Sequence, residues 1–184
     1  MSFRVDGRAY ALQADSHVFS ADRLDPGTAV LLREAPGPHG DCLLDLGCGY
    51  GPIACVLALR RPRAQVWAVD VNERARSLTV ANADSLAVAT RVHVVDPDGV
   101  PEGVSFDEIW SNPPIRIGKP ALHEMLLRWL PRLREGGTAW LVVAKNLGSD
   151  SLQRWLAEQG YRVERHTSVR GYRVLGVRPG VLTG

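Results

Sequence analysis

Lysine is nearly missing from the 184-residue chain: of its 22 basic residues only Lys119 and Lys145 are lysine, and the rest are arginine. Twenty acidic residues leave a net charge of +2, so no global field draws in a polyanion, and any hold on nucleic acid has to come from a local patch. Cysteine is scarce too. Cys42, Cys48 and Cys55 lie in one short segment without CxxC spacing, which argues against a disulfide framework or a zinc site and fits a reducing cytoplasm. His17, His39, His93, His123 and His166 show no metal-ligand spacing, so no metal is expected. His123, at helical spacing with Leu126 and Leu127, reads as structural. No basic segment followed by an apolar run opens the chain, and no apolar run approaches a membrane span; a soluble protein with no membrane partner is the expectation. Repeats, low-complexity tracts and long linkers are also absent.

What is present is an alternation of strand and helix signals. An apolar content of 45% over this length supports one domain with a substantial core, in which residues 1–40 form a less regular N-terminal extension and residues 41–184 the alternating core. The extension contains a hairpin pattern, "FRVDGRAYAL" with Asp6-Gly7 at the turn, and a short helix in "AVLLREA". From Cys42 onward, "CLLDL", "QVWAVD", "RVHVVD", "FDEIWS" and "TAWLVVA" read as strands, separated by helical patterns in "PIACVLALRR", "NERARSLTVANADSL" and "PALHEMLLRWLPRLRE", the last ended by Gly136-Gly137. A final helix, "SLQRWLAEQ", precedes "YRVERHTSV" and "YRVLGV". These last two strands are too close for a parallel crossover and should pair as an antiparallel hairpin at a sheet edge. The fold class is therefore α/β: a Rossmann-like, doubly wound, seven-stranded, mostly parallel sheet closed by a C-terminal antiparallel hairpin.

In such sheets ligands bind beyond the carboxyl ends of the strands, which selects four loops. The first, "DLGCGYG", sets Gly47, Gly49 and Gly51 at alternate positions between strand and helix. That is GxGxG rather than the dinucleotide GxGxxG, and it disfavours a nicotinamide cofactor. Asp70 ends the next strand, where a carboxylate can accept both hydroxyl hydrogens of a ribose. Asp45 stands before the glycines, suited to orienting the turn or to facing a cationic part of the ligand. Asp96, after "RVHVVD", can accept the hydrogens of an adenine amino group. Each aspartate alone is equally a turn or cap residue; together with the glycine loop they point to a nucleoside ligand. Asn82, on the second helix, reads as solvated or locally bonded.

The fourth loop is "SNPPI". Asn112 and an adjacent backbone carbonyl can accept the two hydrogens of a substrate amino group, and Pro113 and Pro114 would hold both acceptors in one direction. The substrate's nitrogen lone pair then points at an electrophile, and no nucleophilic side chain is needed. The amide NH2 of Asn112 would be available to donate to the O6 of a guanine.

Together these residues resemble the class I S-adenosylmethionine-dependent methyltransferases, and within them the small-domain family that includes the bacterial ribosomal RNA guanine-N2 methyltransferases. "VFSADRLDPGTAVLL" is similar to that family's lead-in, "VDVNERARSLTVANA" to its ribose-binding strand and helix, and "VRGYRVLGV" to its closing hairpin. The resemblance implies S-adenosyl-L-methionine as cofactor, with Asp45, Gly47, Gly49 and Gly51 on the methionine side, Asp70 at the ribose and Asp96 near the adenine, Cys48, Val71 and Asn112 also among the cofactor-binding residues, and Asn112 receiving the target amine. It implies RNA or a ribosomal particle as substrate in preference to DNA, with guanine N2 of small-subunit ribosomal RNA the favoured target. Whether the protein is a monomer or a homodimer stays open. Two departures stand out: the position after the prolines, usually aromatic, is Ile115, and the additional amino-terminal domain common in those enzymes has no counterpart. Phe19, Tyr50 or a residue of the "IRIGK" loop is a candidate for the missing stacking surface, and Arg116 and Lys119 for phosphate contacts. Arg162, Arg165, Arg170, Arg173 and Arg178 form either a basic face or the solvent side of an edge strand. The alternatives are methylation of a protein glutamine or of a small-molecule amine, or an RNA-binding domain that has lost catalysis.

Overall fold

The computed structural model describes residues 1–14 and 23–180. Strands β1 (Ser2–Val5) and β2 (Arg8–Ala11) form the antiparallel hairpin around Asp6-Gly7, both in the left-handed region that a tight two-residue turn requires. Helix α1 (Pro26–Glu34) follows, with Pro26 in its first turn and the Asp25 carboxylate accepting the Thr28 N–H at 2.9 Å as its cap. The alternating portion comprises β3 (Cys42–Leu46), α2 (Pro52–Arg60), β4 (Gln65–Val69), α3 (Glu73–Ser85), β5 (Val92–Val95), β6 (Phe106–Ser111), α4 (Lys119–Trp129), β7 (Leu133–Ala144), α5 (Ser149–Glu158), β8 (Arg162–Val169) and β9 (Tyr172–Arg178).

Seven strands form one sheet in the order β5-β4-β3-β6-β7-β9-β8. Pairs from β5 to β7 are parallel and those of β9 with β7 and β8 antiparallel. The strand order reverses between β3 and β6, so the crevice expected to take a ligand lies between the ends of "CLLDL" and "FDEIWS". Both strands are almost wholly buried because helices cover both faces. One core cluster joins the hairpin, α1 and α2 to the sheet, and a second gathers the apolar stripes of α4 and α5 on the other face. Because β9 runs antiparallel to β7, with Ala144 opposite Tyr172, the β8–β9 turn at Arg170-Gly171 comes back to the ligand-binding end of the sheet, where Lys145 N–H donates to the Gly171 carbonyl at 2.8 Å.

One expectation needs correction. The helical pattern from Pro120 to Glu135 stops at Trp129, and Leu130–Arg132 form a single 3-10 turn. Pro131 has no N–H to continue the helix, and Leu133 pairs with Phe106 as the start of β7. Gly136 and Gly137 are not a helix cap; they fall in the register shift between Phe106 and Glu108, and a Cβ on Gly137 would lie 2.9 Å from the Asp107 carbonyl.

Candidate active site

The glycine loop is built from both sides. Gly47 and Cys48 N–H groups donate to the Val69 carbonyl at 2.8 and 3.0 Å, fastening the turn to the end of β4. From α3, the buried Thr79 hydroxyl donates to the Gly49 carbonyl at 2.8 Å and lies 3.6 Å from the Cys48 sulfur. Gly47, Gly49 and Gly51 all have positive φ. At Gly51, φ +85, an added Cβ would also come within 2.7 Å of Thr79, so the turn and the helix that braces it require glycine there. Among the described residues, the side of Gly47 where a Cβ would stand meets only the Pro114 ring, at 3.9 Å.

Asn82 departs from its expected role. It is fully buried, and its amide donates to the Tyr50 carbonyl at 2.7 Å and the Gln13 carbonyl at 2.9 Å while accepting from the Gln13 N–H at 2.7 Å. It thereby ties the glycine loop to the lead-in.

Asp45 is fully buried beneath this loop. Its Oδ2 accepts the Ala54 N–H at 2.9 Å, and its Oδ1 has no partner among the described residues. Burial, reinforced by the Asp70 charge and only partly opposed by the Ala54 N–H, pushes its carboxyl up to about 8. Asp70 holds the Gly49 N–H on Oδ2 and the Asn72 N–H on Oδ1, each at 2.9 Å. Those bonds use one acceptor site per oxygen, and a carboxylate has about four. Asp96 is exposed; its Oδ1 accepts from the Asp98 and Gly99 N–H groups at 3.0 and 2.8 Å, a turn-forming arrangement that leaves its second oxygen. Val71, next in sequence to Asp70, is 81% exposed.

Across the crevice, the Ser111 hydroxyl donates to the Leu46 carbonyl at 2.7 Å and closes β6 against β3. Asn112 donates both amide hydrogens internally, to Asp25 Oδ1 at 2.6 Å and Thr28 Oγ1 at 3.0 Å. Its own oxygen faces Gly27, 3.2 Å from where a Cβ would sit, with the Tyr172 ring edge 3.1 Å from the same point. The amide therefore presents an acceptor only, and donation to a substrate O6 is not available. Pro114 adopts φ −73 and ψ 75, an inverse γ-turn in which Ile115 N–H donates to the Pro113 carbonyl at 2.8 Å. This turn fixes the direction of the Pro113 carbonyl.

Ile115 is half-buried against the α4-side core. Lys119 is exposed at the start of α4. Phe19 and the side chain of Arg116 lie outside the described residues. Tyr50 is buried under Asp25: burial, and then the Asp25 charge, push its phenol up to about 12. Tyr172, which sequence reading did not single out, is the aromatic residue that the structure brings beside Asn112. The basic tail is partly neutralised, because Arg165 and Arg173 both pair with Asp150; Arg178 donates to the Thr138 hydroxyl and keeps its charge. Among the described residues no cluster could hold a metal ion, and no helix is long and apolar enough to cross a membrane.

A profile of the methyltransferase small domain family matches residues 9–176. The uncharacterized protein YbxB of Bacillus subtilis is 34% identical over 95% of this chain and 88% of its own length. Ribosomal RNA small subunit methyltransferase C of Hahella chejuensis is 39% identical over 71% of the chain, and the match spans 39% of that enzyme. Among solved structures, the T. thermophilus 16S rRNA N2 G1207 methyltransferase, in complex with AdoMet and guanosine, superposes with a TM-score of 0.79 at 26% identity, over 97% of this chain and 50% of that one.

Proposed function

The chain belongs to the methyltransferase small domain family, and from that premise we propose that it is an S-adenosylmethionine-dependent enzyme methylating an exocyclic amino group of ribosomal RNA in the cytoplasm, guanine N2 being the preferred position. The observation that carries the amine reading is Asn112, whose amide oxygen is left as a fixed acceptor beside the Pro113 carbonyl. A planar NH2 group can satisfy both acceptors; a carbonyl or carboxylate oxygen, having no hydrogen, can satisfy neither.

Among the described residues, three features suit the crevice to the methyl donor: the buried Asp45 Oδ1 without a partner, the open face of Gly47, and the exposed Val71. In this reading Asp45, Gly47, Cys48, Gly49 and Gly51 line the methionine side, Asp70 uses its remaining acceptor sites on the ribose, and Val71 and Asp96 border the adenine. Bound S-adenosylmethionine supplies an electrophilic methyl carbon on a sulfonium. Asn112 Oδ1 and the Pro113 carbonyl hold the two amine hydrogens so that the nitrogen lone pair faces that carbon. With the donor bound, Asn112 Oδ1 and the Pro113 carbonyl would bond the amine more tightly as positive charge grows on its nitrogen than in the ground state. The nitrogen then gives one proton to solvent. Arg116 and Lys119 are assigned to phosphate contacts, residues 1–40 to a lead-in that completes the acceptor half, and residues 41–184 to the catalytic core.

Since the chain spans well under two thirds of the ribosomal RNA methyltransferases it matches, the substrate is the part to test. Purified protein is incubated with labelled methyl donor and, separately, with ribosomal RNA, ribosomal particles and protein extract, and labelled RNA is digested to nucleosides for mass spectrometry. N2-methylguanosine is expected. Label in protein glutamine overturns the RNA assignment.

A further inference from the structure

We propose that Asp25 is a positioning residue for methyl transfer, holding Asn112 in its acceptor-only orientation and polarising its amide toward the charge that develops on the substrate nitrogen; this rests on the amine reading above. Asp25 and Asn112 are 87 residues apart in sequence, yet Asp25 Oδ1 lies 2.6 Å from Asn112 Nδ2. The Thr28 hydroxyl receives the other amide hydrogen at 3.0 Å. Turning the amide over would set two oxygens at that 2.6 Å separation, one of them on a carboxylate. The orientation is thus decided by the partners.

Serving as the cap of α1 does not call for a carboxylate in particular, since serine, threonine or asparagine cap a helix as well. At Asp25 the same Oδ1 accepts both the Thr28 N–H and the Asn112 amide. A negative charge on the N–H side of that amide increases electron density at its oxygen, the atom assigned above to accept from the substrate amine. Charge-assisted bonds are about twice as strong as neutral ones. The benefit is greatest when the amine nitrogen turns cationic, so the charge at Asp25 favours the transition state over the bound substrate.

Asp25→Asn keeps a cap oxygen that can still accept from Thr28 and Asn112 but removes the charge; Asp25→Ala removes both. With ribosomal particles as acceptor and saturating donor, the single-turnover rate is expected to fall about three- to tenfold in Asp25→Asn and about thirtyfold or more in Asp25→Ala. Donor affinity should stay within about twofold, because the donor half is built on other residues. An independent readout is the side-chain amide of Asn112 in 15N-labelled protein, assigned by its disappearance in Asn112→Ala. Its two hydrogens should exchange slowly in the wild type and in Asp25→Asn, and fast in Asp25→Ala. Rates within twofold of wild type for folded Asp25→Ala, or an unchanged Asn112 amide signal, overturn the proposal. If wild-type protein methylates none of the three acceptor preparations, the substrate reading fails, and the amide measurement still decides whether Asp25 holds Asn112.

Discussion

Asn112→Asp changes one NH2 group to an oxygen and leaves the side chain's shape intact, yet in this site it should be far from conservative. The new oxygen would stand where Nδ2 now lies, 2.6 Å from Asp25 Oδ1. Two full charges at that separation repel by about 6 kcal/mol at an effective dielectric of about 20. Side-chain movement reduces this, and the alternative is to keep one carboxyl protonated. Holding a proton at pH 7 on a group that would ordinarily lose it near 3.9 costs about 4 kcal/mol, at 1.36 kcal/mol per unit. The folded pair therefore has a raised pKa. The variant should be close to wild type in stability below about pH 4, where the unfolded carboxyls are also protonated, and should lose about 1.4 kcal/mol per unit as the pH rises toward the raised value, then level off. The assay is denaturant unfolding of Asn112→Asp and wild type from pH 4 to pH 8, with Asn112→Ala as the control that should show no added slope. Adding Asp25→Asn should abolish the slope, since only one carboxylate then remains. Methylation by Asn112→Asp, relative to wild type, should likewise improve on going from pH 8 to pH 6. A penalty that is flat with pH, or that grows toward acid, would refute the placement of Asp25 against Asn112.

Asp45 predicts a different linkage: with its carboxyl raised to about 8, the stability that this group contributes to the ligand-free protein should be complete below about pH 4 and be lost as the pH rises toward about 8. A cationic sulfonium favours the ionised form, so donor binding at pH 7 should release a proton and tighten toward pH 8; calorimetry in buffers of different ionisation heat measures this, and no proton release would refute it. Gly51→Ala should destabilise by about 2–4 kcal/mol, combining a left-handed backbone with the Thr79 clash, read by chemical denaturation, whereas Gly103→Ala, with no atom within 4 Å of its Cβ position, should stay within about 0.5 kcal/mol of wild type. Asp70→Ala removes the acceptor for Gly49 N–H and the assigned ribose acceptor, so donor affinity should fall about a hundredfold, and an unchanged dissociation constant in folded protein would take Asp70 out of the binding site.

The sheet, its edge hairpin and the glycine loop were legible because each rests on local signals: short apolar runs, helices long enough for crossovers, and glycines between strand and helix. The end of α4 was misread because "LPRLRE" continues the apolar spacing of a helix, and only its pairing partner Phe106 reveals Leu133 as strand. Thr79 and Asn82 escaped for a related reason. Helical periodicity is read from apolar residues, and here the face of α3 that meets the glycine loop is polar, so its packing signal looked like a solvent face. Asp25 and Thr28 were invisible as supports of Asn112, since nothing in a linear string links position 25 to position 112. Tyr172 was quoted within the closing hairpin, but strand alternation alone does not say which end of the sheet its neighbours meet; the antiparallel register with β7 does.

The two halves of the crevice are supported by different elements, which has a consequence for how substitutions should sort. The half proposed to hold the donor rests on α2 and α3 through Ala54, Thr79 and Asn82, and the half proposed to hold the acceptor on α1 through Asp25 and Thr28. The lead-in touches both, because Gln13 bonds Asn82 while Asp25 bonds Asn112. A change at Thr79 should therefore appear chiefly in donor binding and one at Thr28 chiefly in the rate of the chemical step, whereas a change that loosens the lead-in as a whole should affect both. If Asn112 is the acceptor proposed above, that coupling would give Gln13, Asp25 and Thr28 a part in catalysis, because Asp25 and Thr28 decide which way the amide of Asn112 faces.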